Sequence, residues 1–431
     1  MKKTVILTTT LFICCFSFSQ QADEYFEKEF IRNQDHAYRD YITSVRLYKT
    51  SWELSQPILE LHSGETLTLE FDDLQSDVKA YKMTLVHCDA LWRPSDLDKS
   101  EYLDGFWDDD INDYSFSYNT TKGFTHYVAE IPSDYLRFTK SGNYILRIFT
   151  GEDEDQNVVL TRRLMVTDPK VRIEGEVGRP LNVSERESKQ AVDFMVKTGN
   201  YYIRDPFEDL VVIIRQNGRW DNAKSVEPRS SGGSGLDYRY IRENAFNGGN
   251  EFRQFDMKNL KYQSERIRRI EYGPEGYQVY LWPDERRIFK PYVYKEDLNG
   301  KRSIESENSR DNSVESDYAY VHFTLPYDFP LVNGNLYILG ALTDWQFTEE
   351  GMMKYDYEDH TYKTSLYLKE GYYNYMYVFF EDDADQGDMT LIEGNHFETE
   401  NDYSVYVYHR QQGTKYDQLI GIAFFNSLIK K

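Results

Sequence analysis

Apolar and polar residues alternate with a period of two over much of this chain. In residues 66–71, Leu67, Leu69 and Phe71 alternate with Thr66, Thr68 and Glu70, the pattern of a strand with one buried face. Residues 144–149 and 158–166 read alike. Residues 210–214 form a short unbroken apolar run, which predicts a strand buried on both faces. In residues 371–379, Tyr373, Tyr375, Tyr377 and Phe379 share one face, and Tyr372, Asn374, Met376 and Val378 the other. Helical periodicity is scarce, and only residues 258–269 and 418–428 predict short helices. Asn-Gly stands at Asn217-Gly218, Asn247-Gly248, Asn299-Gly300 and Asn333-Gly334, a dipeptide that accepts positive φ and closes hairpins. The pattern predicts an all-β chain of tandem antiparallel β-sandwich domains.

Two composition shifts divide the chain. Thr167-Asp168-Pro169 ends a strand-rich block, and the polar run 305–316 precedes a fresh strand at 318–325. The expected organisation is a leader over 1–19, an N-terminal β-sandwich over 20–168, a middle β domain over 169–316 and a C-terminal sandwich over 317–431. Residues 230–235 read as a flexible loop inside the middle block. The last block has a strand at 336–340, then Thr343-Asp344-Trp345, Met352 and Met353, and strands at 362–368 and 371–377. It resembles early-set immunoglobulin-like modules, some of which bind starch or glycogen through exposed tryptophans. Only Trp345 fits that pattern here, and its bulk favours a core position. A periplasmic carbohydrate-binding β-sandwich protein is therefore the alternative reading of the chain.

The start, Met1-Lys2-Lys3-Thr4, leads into an apolar stretch over 5–18 that ends in Ser17-Phe18-Ser19. A basic start, a short apolar core and a small-x-small site describe a cleaved secretory signal peptide. Cys14 and Cys15 lie within it, but Ile13 does not suit a lipid-attachment signal. The stretch is too short for a membrane span, and no other approaches that length. Cys88 is the cysteine that remains after cleavage, so no internal disulfide is expected. Leu85, Val86 and Leu91 beside it predict a buried thiol. The formal charge of −23 repels nucleic acid and anionic lipid. The 37 tyrosines suit strands and interfaces alike.

Catalytic and metal-binding patterns are missing from the sequence. The histidines, His36, His62, His87, His126, His322, His360, His396 and His409, have none of the usual metal-ligand spacings. Too few cysteines remain for a zinc site. No phosphate-binding glycine loop is present, and Ser234 lacks the second glycine of a nucleophile elbow. Asp108, Asp110 and Asn112 match the opening of a calcium loop. Its sixth and twelfth positions, however, hold Asp113 and Asn119 in place of Gly and Glu. In Asp383-Ala384-Asp385-Gln386-Gly387 the glycine comes one position early. The sequence thus predicts no catalytic, cofactor-binding or metal-binding residues, no small-molecule substrate and no enzyme.

Two segments stand apart: Gln216-Asn217-Gly218-Arg219-Trp220-Asp221-Asn222 and Gly249-Asn250-Glu251-Phe252-Arg253-Gln254-Phe255-Asp256. Their residues set loop geometry and bury rings. With them, in order, stand Ile42-Thr43-Ser44-Val45, Gln56-Pro57-Ile58, His87-Cys88-Asp89 with Trp92-Arg93-Pro94-Ser95, and Glu101-Tyr102-Leu103-Asp104-Gly105-Phe106. Ser141-Gly142-Asn143-Tyr144, Asp297-Leu298-Asn299-Gly300, Leu368-Lys369-Glu370-Gly371-Tyr372-Tyr373 and Glu398-Thr399-Glu400-Asn401 follow. Over nearly the whole mature length, the chain resembles the plug proteins of the bacterial type IX secretion system. It departs at Gly218, where that pattern steps directly into Arg; the extra residue lengthens one hairpin. The resemblance implies a periplasmic protein of Bacteroidota-type bacteria, peripheral to the outer membrane. Its partner is then the giant outer-membrane translocon β-barrel, whose periplasmic opening it closes when idle. The resemblance carries no catalytic residue and leaves the interface unlocated. Phe106-Trp107 and Trp220 are the candidates the sequence offers, with a core role the competing expectation for each.

Overall fold

A computed structural model describes residues 31–232 and 235–428. The leader expected over 1–19 lies outside the described residues. Among the described residues strands make up 46 % and helix 6 %, so the fold is all-β, as the period-two pattern predicts. Among the described residues no helix is long and apolar enough to cross a membrane.

Three sandwiches build the molecule. In the first, one sheet runs Ile42–Lys49, Leu67–Asp73, Thr125–Ile131, Asp113–Phe116. The facing sheet runs His36–Ala37, Val158–Thr167, Gly142–Thr150, Tyr81–Cys88, Asp109–Ile111, with Ile58–Glu60 parallel to Val158–Thr167. Leu67, Leu69 and Phe71 meet Tyr144, Leu146 and Ile148 in one core, which is the alternation read from the sequence. Ile145 points the other way, into a second cluster with Tyr406, Tyr408 and Leu419.

The second sandwich faces Lys189–Lys197, with Arg172–Gly178 and Gly235–Asp237 beside it, against Leu210–Gln216. Leu210–Gln216 pairs with Lys224–Val226 on one edge and Asp402–His409 on the other, and Gln418–Asn426 follows. Val212 and Ile214 enter one core and Ile213 another, so both faces are buried as the unbroken run predicts. In the third sandwich Gly371–Glu381 pairs with Arg253–Asp256, Arg302–Ile304 and Gly334–Leu339. Opposite lie Ile267–Gly273, Gly276–Leu281, Tyr318–Pro326, Thr361–Lys369 and Lys354–Asp356. Tyr373, Tyr375 and Tyr377 pack on Val321, Phe323 and Leu325 in its core.

Several expectations need correction. Strand pairing crosses the boundary expected at 316/317. Asp402–His409 and Gln418–Asn426 belong to the second sandwich, and Arg253–Asp256 through Gly276–Leu281 to the third. The apolar strand Leu210–Gln216 requires a partner on each edge, and its second partner arrives from the far end of the chain. The helix expected over 418–428 is the strand Gln418–Asn426, whose Leu419 pairs with Tyr408 and whose Gly421 pairs with Val407; tertiary pairing overrides a weak local pattern. The helix expected over 258–269 is a turn and a strand. Asp256 accepts from the Lys258 amide at 3.0 Å and Asn259 from the Lys261 amide at 2.9 Å. Such side-chain turns compete with helical hydrogen bonds. The loop expected over 230–235 contains paired strands, Ser230–Gly232 and Gly235–Asp237.

The seams between sandwiches are polar as well as apolar. Asp72 of the first meets Lys369 and Tyr318 of the third, both at 2.6 Å. Tyr408 of the second donates to Asn143 of the first at 2.8 Å. Arg219 of the second donates to the Gly387 carbonyl of the third at 2.8 Å. Hydrogen bonds of this kind between buried groups fix orientation, because any slippage leaves them unmade.

Candidate functional site: an aromatic rim on the first sandwich

One segment of the first sandwich closes its side. Leu103–Gly105 pairs with Leu136–Phe138. Asp109–Ile111 then forms the outer strand of one sheet, against Tyr81–Cys88. After Asn112 alone, Asp113–Phe116 forms the outer strand of the other sheet, against Thr125–Ile131. The chain thus steps from the edge of one sheet to the edge of its partner, and Ile111 enters the core between them. The turn into this segment depends on Gly105. Its φ is 111°, and a Cβ there would stand 2.2 Å from the Tyr135 carbonyl oxygen. The Phe106 amide donates to that same carbonyl at 2.6 Å, and the Thr84 hydroxyl donates to the Trp107 carbonyl at 2.5 Å. The backbone is therefore held while the side chains face water.

Those side chains are large rings. Phe106 is 65 % exposed, Trp107 61 %, Phe116 56 % and Tyr118 70 %. Tyr135 packs on Phe106 with ring centroids 5.6 Å apart, and Tyr114 meets Phe116 edge-on at 5.9 Å. Carboxylates of Asp104, Asp108, Asp110 and Asp113 intersperse them, with Lys82 bridging Asp108 at 3.1 Å. Exposed rings gathered on one segment mark an interaction surface, and edge charges hinder pairing with another copy. The acidic run that opens like a calcium loop forms two edge strands, Asp109–Ile111 and Asp113–Phe116. Among the described residues no three metal-ligating side chains come together.

The other residues singled out by sequence lie elsewhere. Trp220 sits in the seam between the first and second sandwiches, stacked with Tyr406 and edge-on to Trp92 at 5.2 Å; it is not an exposed contact. Trp345 packs edge-on against Phe252, and Gly218 lies so close that a Cβ would stand 2.2 Å from the indole. This is a packing role. Cys88 is a free, buried thiol, pushed up to about 12 by burial.

The two motif segments are buried networks. Gln216 donates to the Asn247 carbonyl at 2.8 Å, Asn217 to Asn401 at 2.9 Å and Asn222 to Gln216 at 3.0 Å. Arg253 bridges Glu393 at 3.0 Å and Asp284 at 2.8 Å, and Asp284 also accepts from Tyr375 and Tyr377. Burial pushes Glu393 up, but Arg253 and Arg287 outweigh it and hold the carboxyl below its ordinary range. The Gly387 carbonyl accepts from Arg219, and its amide donates to Asp221. Sequence reading picked out Phe106 and Trp107 but missed Tyr114, Phe116, Tyr118 and Tyr135. The alternation of rings over 114–118 was the available signal.

The model of the type 9 secretion system plug protein 1st domain matches residues 42–168, the sandwich that carries the rim. A crystal structure of a hypothetical protein from Parabacteroides merdae is 32 % identical, with a TM-score of 0.88, over 92 % of this chain and 100 % of that one. The C-terminal domain of the Streptococcus pyogenes antigen I/II-family protein AspA is 8 % identical, with a TM-score of 0.16, over 89 % of this chain and 99 % of that one. That likeness is too slight to carry an argument. No curated protein matches the chain. The first sandwich bears the family's own domain, and the rest of the fold is shared with a relative of substantial identity. The chain therefore belongs to the type IX secretion system plug protein family, and its role is associated with that secretion system.

Proposed function

We propose that this protein is a periplasmic stopper that seats on the periplasmic opening of the outer-membrane type IX translocon barrel and closes it when idle. The single observation that carries this reading is the exposed aromatic rim on the sandwich that bears the family match. The protein acts by shape and needs no chemistry. Three sandwiches locked by buried polar seams supply a rigid body. A stopper must also come off, which calls for a contact smaller and more polar than an obligate interface. Rings set among aspartates meet that need, and they favour a partner surface carrying Lys or Arg.

Affinity purification tests the reading. Tagged wild-type protein should retain a very large barrel from detergent-solubilised outer membranes. The triple variant Phe106→Ser, Trp107→Ser, Phe116→Ser should lose it while folding normally. Equal recovery with both proteins counts against the rim. A second reading, glycan binding, rests on the same exposed rings, since aromatic faces stack on sugars. Saturable binding of soluble oligosaccharides that the triple variant abolishes, without barrel recovery by the wild type, favours it.

A further inference from the structure

Where the three sandwiches meet lies a cavity of about 220 Å³. Trp92 and Arg163 reach it from the first, Arg215 and Trp220 from the second, and Lys301 and Trp345 from the third. Six lysine and arginine side chains line it against four carboxylates, a positive excess in a chain of net charge −23. Three of the six are in ion pairs: Arg46 with Glu53 and Glu70, and Arg162 and Arg302 with the shared Asp344.

Arg163 and Arg215 have no carboxylate in ion-pair contact among the described residues. Arg163 gives its Nε–H to the Asn33 carbonyl at 2.9 Å, and Arg215 gives one Nη–H to Gln56 at 2.6 Å. Both guanidinium groups lie against one indole, 5.3 Å and 4.6 Å from the Trp220 ring centroid. Arg163 also lies 4.7 Å from the Trp92 ring centroid. Burial pushes Arg163 down to about 10; Asp35 opposes the shift and Arg215 adds to it. Arg215 itself is only 8 % exposed. Its Nε–H, and the indole N–H of the buried Trp92, have no hydrogen-bond partner among the described residues. Two guanidinium groups on one indole, with donors left over, call for an anion.

The anion's chemistry follows from the walls. A guanidinium presents a planar fork that matches a carboxylate. Around the pair stand Leu54, Pro57, Ile58 and Met165, which suit an apolar group and not a fully hydrated ion. We propose that this cavity binds a carboxylate carried on an apolar group, such as the C-terminal end of a peptide. Arg163 and Arg215 are its donors, and Trp92 and Trp220 flank it. A ligand there touches all three sandwiches at once and binds only while they keep their arrangement. The inference stands on the seam and is independent of the rim.

Calorimetric titration of the protein with N-acetyl-L-phenylalanine tests it. N-acetyl-L-phenylalaninamide, with the same ring and no carboxylate, and inorganic phosphate are the controls. The acid should bind saturably, and both controls about tenfold more weakly or worse. The variant Arg163→Gln, Arg215→Gln should bind the acid about tenfold more weakly or worse, with its melting curve recorded to confirm folding. The comparison of acid with amide on the wild-type protein decides the matter even if that variant fails to fold. The proposal is overturned if acid and amide bind equally, if phosphate binds at least as tightly as the acid, or if the acid does not bind at millimolar concentration.

Discussion

Asp72 and Lys369 form an ion pair 2.6 Å long across the seam between the first and third sandwiches, with side chains 1 % and 2 % exposed. Asp72 also accepts from Tyr318 and meets His126 at 2.6 Å, and Lys369 lies 4.2 Å from the Phe124 ring centroid. Burial alone pushes Asp72 up, but Lys369 and His126 outweigh it and hold the carboxyl below its ordinary range. Burial pushes Lys369 down despite its partner. Removing one partner strands the other charge in the interior, at a cost of about 3–5 kcal/mol. Lys369→Met should therefore destabilise the protein by that amount in denaturant unfolding. Asp72→Asn with Lys369→Met should recover much of the loss. A loss in the double variant equal to the sum of the losses of Lys369→Met and Asp72→Asn made singly means that the pair is not coupled.

His87 makes stability depend on pH. It is buried, 2.9 Å from the Ser95 hydroxyl, and burial lowers it from 6.5 to about 4. The folded protein therefore binds fewer protons at this site than the unfolded chain. Its contribution is fully present above pH 6.5 and is lost as pH falls toward 4, by about 3 kcal/mol in all. Glu370 and Asp297 act in the opposite sense. Burial raises both to about 7, so they favour the fold as pH falls from 7. The readout is accordingly a difference between proteins. The stability of the wild type minus that of His87→Gln should fall steadily from pH 6.5 to pH 4 and stay flat above pH 7. A difference independent of pH contradicts the buried neutral imidazole.

Gly218 and Trp345 meet across the second and third sandwiches. Gly218→Ala places a methyl group against the indole, where it would stand 2.2 Å away without adjustment. Overpacking of this kind costs about 1–3 kcal/mol. Trp345→Ala removes the obstacle, so the two substitutions together should cost less than the sum of each alone. Thermal unfolding of the four proteins checks this, and strict additivity counts against the contact.

Much of the architecture was legible in the sequence, and the reason is local. Leu67, Leu69 and Phe71 have one buried face, so their alternation records their surroundings. The run 210–214 is buried on both faces, so its lack of alternation does the same. What the sequence hid was long-range. Leu210 pairs with His409, and nothing near either residue announces the other; composition shifts at 305–316 therefore misplaced the last boundary. Residues 418–428 were misread for the same cause, because their strand state is set by Asp402–His409. The rim was half legible. Phe106 and Trp107 stood out as adjacent rings, whereas Tyr114, Phe116 and Tyr118 alternate as a core strand does. Tyr114 and Phe116 face outward from the outer strand Asp113–Phe116, and Tyr118 follows just beyond it.

Exposed rings contribute little to the fold that carries them. Each substitution Phe106→Ser, Trp107→Ser or Phe116→Ser should change unfolding free energy by no more than about 0.5 kcal/mol. In binding, a ring seated in a partner's pocket contributes about 2 kcal/mol or more. The triple variant should therefore keep its melting temperature and lose its partner. A large drop in melting temperature shows instead that the rings support the fold.

The proposal that this protein closes the barrel makes a prediction for the living cell: without the protein, the outer membrane should admit large antibiotics that it otherwise excludes. The decisive measurement is sensitivity to such an antibiotic in strains producing the wild-type protein, the triple rim variant or neither, each with and without the barrel. Sealing by the rim requires leakage in the variant and the deletion strain, and none when the barrel is also removed. A deletion strain no leakier than its parent, or leakage that persists without the barrel, contradicts it.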